Sequence, residues 1–109
     1  MWYIIYMAGN RKISQAGAMA LESFRVMHQA NTAVERDHND DWVLKLHGNM
    51  IAKIVDHRDL YVSTAGWNTP TTRERLNALS GVGVHQKNYV LYLNDKEWDG
   101  SWVKVSDFN

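Results

Sequence analysis

Apolar residues in the first third of the chain follow a strand-like pattern and then a helix-like one. Trp2 to Met7 is rich in aromatic and β-branched side chains and precedes the turn dipeptide Gly9-Asn10, which predicts a short first strand. Ser14 can cap a helix that follows, and we expect this helix to end near residues 29–31. Its predicted apolar stripe consists of Ala16, Met19, Ala20, Phe24 and Met27.

The middle of the chain alternates with a period of two, as half-buried strands do. Thr32–Arg36 alternates weakly and predicts a short edge strand before the polar loop at residues 37–41. In the next predicted strand, Trp42, Leu44 and Leu46 share one face. Gly48-Asn49 then predicts a type II′ hairpin loop with its partner strand at residues 50–55, and a turn at residues 56–59 leads to a third strand at residues 60–63.

A second, shorter helix is predicted after residue 69, in either of two registers. Thr69 before Pro70 fits an N-cap with proline at the first helical position, whereas Thr71 and Glu74 have the spacing of a capping box. Leu76 and Leu79 should face the core, and Gly81 should end the helix. Three further strands are expected at residues 82–86, 89–93 and 98–105, the last with a hairpin turn at Asp99-Gly100 and a frayed tail beyond it.

These elements predict an α+β fold. We expect an antiparallel β meander packed by one longer N-terminal helix and one short central helix, forming a single compact domain over residues 1–109. Hydrophobic residues make up 45% of the chain and charged residues 22%, which is ordinary globular usage. Twelve basic residues balance twelve acidic ones, so any attraction to an anionic partner must come from a local patch.

Most kinds of chemistry are excluded by what the chain lacks. It has no cysteine, which excludes disulfides and thiolate nucleophiles and fits a reducing cytoplasm. It contains no phosphate-binding glycine loop and no nucleophile elbow, and its five histidines are scattered. The acidic residues 37–41 are spaced like the start of a calcium-binding loop, but Trp42 occupies the position at which such a loop requires glycine, so we expect no calcium site. We therefore expect no enzyme, cofactor, metal site or membrane partner.

The start of the second helix is the first candidate binding site. A helix N-terminus offers unpaired backbone N–H groups, to which Thr69, Thr71 and Thr72 add hydroxyls and Arg73 and Arg75 add guanidinium groups. This combination is typical of a phosphate or acidic-partner site. The alternative is structural, because threonines commonly cap helices and the two arginines lie about 200° apart around the helix axis.

Aromatic residues provide the second clue, since the chain has five tryptophans and five tyrosines. Trp42 and Phe24 fit the core, whereas Trp67, Trp98 and Trp102 flank predicted turns and are expected at the surface. Surface rings beside cations suit either a single-stranded nucleic-acid platform or a protein-binding hot spot. The structural alternative is that Trp67 fills the helix–sheet junction and Trp98 pairs across a hairpin.

Four segments carry a resemblance to a known family. They are Leu46-His47-Gly48-Asn49-x-Ile51-Ala52, the stretch from Val62 to Asn77 with its Ala-Gly-Trp-Asn-Thr-x-Thr-Thr-Arg-Glu-Arg-Leu-Asn core, Tyr92-Leu93-Asn94, and Trp98-Asp99-Gly100. This pattern resembles a family of small uncharacterised proteins encoded by tailed bacteriophages. The resemblance implies the cytoplasm of a bacterial host as the setting, and nucleic acid, host polymerase or a defence enzyme as typical partners.

Two functions follow as predictions. The first is a non-enzymatic nucleic-acid binder that prefers single strands. Its predicted contacts are Trp67, Thr69, Thr71, Thr72, Arg73, Arg75 and Trp98, with Lys53 and Arg58 as backbone contacts. The alternative is a protein-binding inhibitor or adaptor that acts on a bacterial host factor such as a defence or transcription protein. The sequence leaves the oligomeric state open, including a homodimer.

Overall fold

The computed structural model describes the backbone of residues 2–109 and the side chains from Lys12 onward. Within that range the helices are α1 (Trp2–Glu22) and α2 (Pro70–Asn77), with a 3-10 helix at Val105–Phe108. The strands are β1 (Met27–Gln29), β2 (Thr32–Arg36), β3 (Trp42–Leu46), β4 (Asn49–Val55), β5 (Asp59–Val62), β6 (Val84–Lys87), β7 (Val90–Leu93), β8 (Lys96–Glu97) and β9 (Val103–Lys104).

The strands form two antiparallel sheets. The main sheet has the order β1-β2-β3-β4-β5-β9, so five consecutive strands form a meander and β9 joins it after a long excursion. That excursion holds α2 and the small sheet, which has the order β6-β7-β8. The predicted α+β class, with a longer N-terminal helix and a short central one, is confirmed.

One hydrophobic core joins these layers. Residues of α1, the main sheet, α2 and the small sheet belong to a single buried cluster, which includes the fully buried Leu21, Leu44, Ile51, Leu76 and Leu93. The helices and the small sheet therefore pack on one face of the main sheet. No helix in the described part of the chain has the length and apolar character needed to cross a membrane.

The prediction for α1 is wrong in four respects. Residues 2–7, expected as a strand, are the first turns of the helix, and the helix ends at Glu22, where Phe24 adopts a left-handed φ of 56°. Ser14 is not an N-cap, because it lies buried within the helix. The buried face consists mainly of small residues: a Cβ at Gly17 would lie 3.2 Å from Leu44 Cδ1. Small side chains let α1 approach the sheet, whereas Met19 of the predicted stripe is exposed.

The hairpins differ from the prediction in their turns. The β3–β4 loop is His47-Gly48, with φ values of 52° and 80°, which is typical of type I′ rather than of the predicted II′ turn. The bounds predicted for β2 are correct, but it is not an edge strand because β1 pairs with it. The sequence analysis missed β1.

The predicted hairpin at Asp99-Gly100 is also wrong. Residues 98–102 connect β8 to β9, which lie in different sheets. The turn in this region is Asn94-Asp95, with φ values of 50° and 66°, and it joins β7 to β8. The tail is not frayed either, since the 3-10 helix brings Phe108 against the core.

Candidate functional site

The start of α2 follows the first of the two predicted registers. The Thr69 hydroxyl accepts a hydrogen bond from the Thr72 N–H at 3.1 Å, and Pro70 occupies the first helical position. The hydroxyls of Thr69 and Thr72 also bond to each other at 3.0 Å, and Thr72 is buried. These two threonines therefore satisfy hydrogen-bonding groups at the helix end, and the hydroxyl of Thr72 is engaged with Thr69. Leu76 and Leu79 lie in the core as predicted, although α2 ends at Asn77, before Gly81.

Arg75 is an internal residue and not the surface contact that the sequence suggested. Its side chain is only 4% exposed. Its Nε donates to Thr32 Oγ1 at 2.9 Å, its Nη1 to Ser14 Oγ at 2.8 Å, and its Nη2 to Asn31 Oδ1 at 3.4 Å. Burial lowers the pKa of Arg75, and the charge of Glu74, 3.9 Å away, opposes that shift. The guanidinium thus joins α1, α2 and β2 from within.

Arg73 is half-buried and holds a neighbouring loop in place. Its Nη1 donates to Asn68 Oδ1 at 2.6 Å and to Gln86 Oε1 at 3.0 Å. Asn68 Nδ2 also donates to Gln86 Oε1, at 3.1 Å. This network fixes the residues before α2 to strand β6, and it occupies hydrogen-bonding groups that an anion would need.

Residues 64–69 form a tight loop, which we call the Trp67 loop. Ala65 and Gly66 have φ values of 55° and 83°, and the Trp67 N–H donates to the Thr64 carbonyl at 2.9 Å. At its other end the loop runs into the Thr69 cap. Between these fixed ends the Trp67 side chain is 62% exposed. The alternative in which Trp67 fills the helix–sheet junction is therefore excluded.

Gly100 anchors the beginning of the Trp67 loop. Its carbonyl accepts from the Thr64 N–H at 2.9 Å and from the Ser63 hydroxyl at 3.0 Å. Gly100 has a φ of 85°, and a Cβ there would lie 2.5 Å from Thr64 Oγ1. Only glycine permits this close approach. Gly100 thus contacts the loop, whereas Asp99 accepts hydrogen bonds from the backbone N–H and the hydroxyl of Ser101.

A groove of about 390 Å³ lies beside the exposed ring. No Asp, Glu, Lys or Arg side chain lines it. Its apolar walls are Leu46, Ile51 and Trp67, and its polar lining comes from His47, Asn49, Thr64, Thr69, Thr71 and Thr72. A larger depression of about 820 Å³ adjoins the same loop at Gly66 and Asn68, and its lining includes Tyr89, Glu97 and Asp99. The groove walls on β3 and β4 were not predicted, because core-facing Leu46 and Ile51 give no local sign of a binding role.

The remaining predicted site residues lie elsewhere. Trp98 is only 6% exposed and its Nε1 donates to the Ser101 carbonyl at 2.9 Å, so its predicted place at the surface is wrong. Arg58 is exposed in the β4–β5 turn, with Nη2 3.4 Å from Asp59 Oδ2. Lys53 lies on β4 with its Nζ 4.7 Å from the centre of the Trp102 ring. The nine predicted residues therefore do not form one patch.

The comparisons with known proteins decide the family. The model of the Gp96 protein family matches residues 10–109, more than nine-tenths of the chain. This protein family comes from the Kyanoviridae, which are tailed phages. The chain belongs to this family. The resemblance to small phage proteins is thereby confirmed, and the Gp96 assignment covers both sheets and α2. No curated protein and no solved structure matches the chain significantly.

Proposed function

We propose that this Gp96-family protein is a non-catalytic binding module that docks a bacterial host protein through the Trp67 loop and its groove. The observation that carries the proposal is a tryptophan 62% exposed on a loop that is held at both ends. Tryptophan is enriched among the residues that dominate protein interfaces, because its ring buries a large apolar area on contact.

The fixed loop favours tight binding. Gly100 holds its beginning, and Arg73 with Gln86 holds Asn68 near its end. A side chain presented in a fixed position loses less conformational entropy on binding than one on a mobile loop. Trp67 is therefore suited to act as an anchor.

The groove indicates the chemistry of the occupant. Its lining contains no Asp, Glu, Lys or Arg and its walls are apolar, so it favours an uncharged apolar side chain of the partner over an anion. The balanced net charge of the protein raises no barrier to partners of either sign. Phage proteins are synthesised inside a bacterial cell, and membership of a phage family therefore supports a host defence or transcription protein as the class of partner.

The residues at the start of α2 do not support nucleic-acid binding at the groove. Arg75 is buried, and Arg73, whose Nη1 is engaged with Asn68 and Gln86, does not line the groove. The threonine hydroxyls at this end serve largely as caps. Trp67 therefore offers an aromatic ring at the groove, but the groove lining lacks the lysine and arginine side chains that phosphate binding requires.

Trp67→Ala tests the proposal in a pull-down from nuclease-treated lysate of the phage's bacterial host. We expect the wild-type protein to retain a host protein that the variant loses. With that protein purified, calorimetry should show a loss of at least about 2 kcal/mol, or roughly 30-fold in Kd. Stability should change by no more than about 0.5 kcal/mol, because the ring is largely solvated.

Trp102→Ala is the matched control, since it removes the same side chain from a surface outside the groove. It should retain the partner. The proposal fails if the wild-type protein captures no host protein, or if both variants bind the captured protein equally well.

A further inference from the structure

The main sheet has a second face that no helix covers in the described part of the chain. The register places Glu35, Val43, Lys53, Tyr61 and Lys104 side by side across strands β2, β3, β4, β5 and β9. None of these residues belongs to the core cluster on the other side of the sheet, although Val43, in the middle of the row, is itself fully buried. We call this surface the outer face.

Two aromatic rings and a lysine meet on the outer face. Lys53 Nζ lies 4.7 Å from the centre of the Trp102 ring and 5.7 Å from that of Tyr61. Trp102 is 39% exposed. Among the described residues, Lys53 has no carboxylate within 4.0 Å, so its charge is not neutralised by an ion pair.

The rest of the outer face is rich in cations. Lys45 pairs with Glu35 at 2.6 Å, while Lys104 and Arg58 share Asp59 at 3.6 and 3.4 Å. On the strands of the outer face, three lysines (Lys45, Lys53 and Lys104) face two carboxylates (Glu35 and Asp59), while Arg58 and Asp56 balance each other in the β4–β5 turn. The local charge is therefore positive although the whole molecule is neutral. Lys53 and Arg58 were predicted to contact a nucleic-acid backbone, and the structure adds two rings beside Lys53.

We infer that the outer face binds single-stranded nucleic acid, with bases stacking on Trp102 and Tyr61 and phosphates meeting Lys53 and its basic neighbours. Bases can reach these rings only when they are unstacked, which favours a single strand over a duplex. An acidic peptide would satisfy the charges and leave the rings without partners. On binding, a base replaces the Lys53 ammonium group at the rings, and this ammonium group moves to contact a phosphate.

Fluorescence anisotropy with a labelled single-stranded DNA oligonucleotide tests the inference at about 50 and about 200 mM salt. We expect binding at the lower salt that weakens at the higher. Trp102→Ala should weaken it by about tenfold, whereas Trp102→Phe, which keeps a ring, should retain most of it. Lys53→Gln should reduce the slope of log affinity against log salt by about 0.7, the value for one phosphate contact on a single strand.

Lys96→Gln is the matched control, because Lys96 is an exposed lysine on the small sheet. It should bind as the wild type does, and so should Trp67→Ala, which separates this inference from the docking proposal above. Absence of binding by the wild-type protein at low salt would overturn the inference. So would equal losses from Lys96→Gln and Lys53→Gln, or competition by polyglutamate as effective as that by the unlabelled oligonucleotide. Thermal melts identify any variant whose loss reflects unfolding.

Discussion

Arg75 shows at the scale of a single residue why a charged side chain is hard to assign from sequence. Its acceptors Thr32, Asn31 and Ser14 are 43, 44 and 61 positions away in the chain. The residues next to Arg75 in the sequence therefore indicate a solvated cation at the start of a helix. In the folded chain, the uncharged oxygens of the three distant residues accept hydrogen bonds from its buried guanidinium. A buried guanidinium is tolerated only where its N–H groups find such acceptors.

Arg75→Met should destabilise the protein by about 2–4 kcal/mol. The substitution removes the charged donor from the buried hydroxyls of Ser14 and Thr32, which keep only their own donations to Glu74 and Asn31, and each hydrogen bond to a charged group contributes about 1.5–3 kcal/mol. Urea unfolding followed by circular dichroism measures the loss. Arg73→Met, which breaks a surface network, should cost less than about 1 kcal/mol. A larger loss for Arg73→Met would contradict these assignments.

At the scale of elements, local chemistry predicted some segments correctly and failed for others. The N-cap at Thr69, the bounds of β2 and the inward face of β3 could all be predicted, because each depends on neighbouring residues. Helix α1 could not, since its buried face is set by contact with the sheet and uses small residues such as Gly17. The groove was missed for the same reason: β3, β4 and the Trp67 loop meet there only in the folded chain.

Thr69→Ala should cost about 0.5–2 kcal/mol of stability, because it removes the side-chain cap of α2. The same cap ends the Trp67 loop, so we expect partner affinity to fall as well. Thr71→Ala is the control, since in the structure Thr69 and not Thr71 provides the cap. Equal melting temperatures for the two variants would show that the cap contributes nothing measurable.

At the scale of the whole molecule, the two sheets share one core. Leu44 of the main sheet and Leu93 of the small sheet belong to the same buried cluster. The two proposed surfaces lie on either side of the main sheet, because the groove walls Leu46 and Ile51 face that core and Lys53 and Tyr61 face away from it. One stable scaffold can therefore present both.

Unfolding should accordingly occur in one cooperative transition. Melts followed by far-ultraviolet circular dichroism and by tryptophan fluorescence should coincide. Leu93→Ala in the small sheet and Leu44→Ala in the main sheet should each shift both signals together, at a cost of about 2–5 kcal/mol. Two separated transitions, or a Leu93→Ala effect confined to one signal, would show that the sheets unfold independently.

The return of β9 to the main sheet has a practical consequence. Residues 63–102 are held at both ends by the adjacent strands β5 and β9. Within this segment, Tyr89 lies in the β6–β7 turn and is 94% exposed. Tyr89 lines the large depression and not the groove. A photoreactive amino acid at this position could thus covalently trap a bound host protein inside infected cells without removing any of the anchoring contacts.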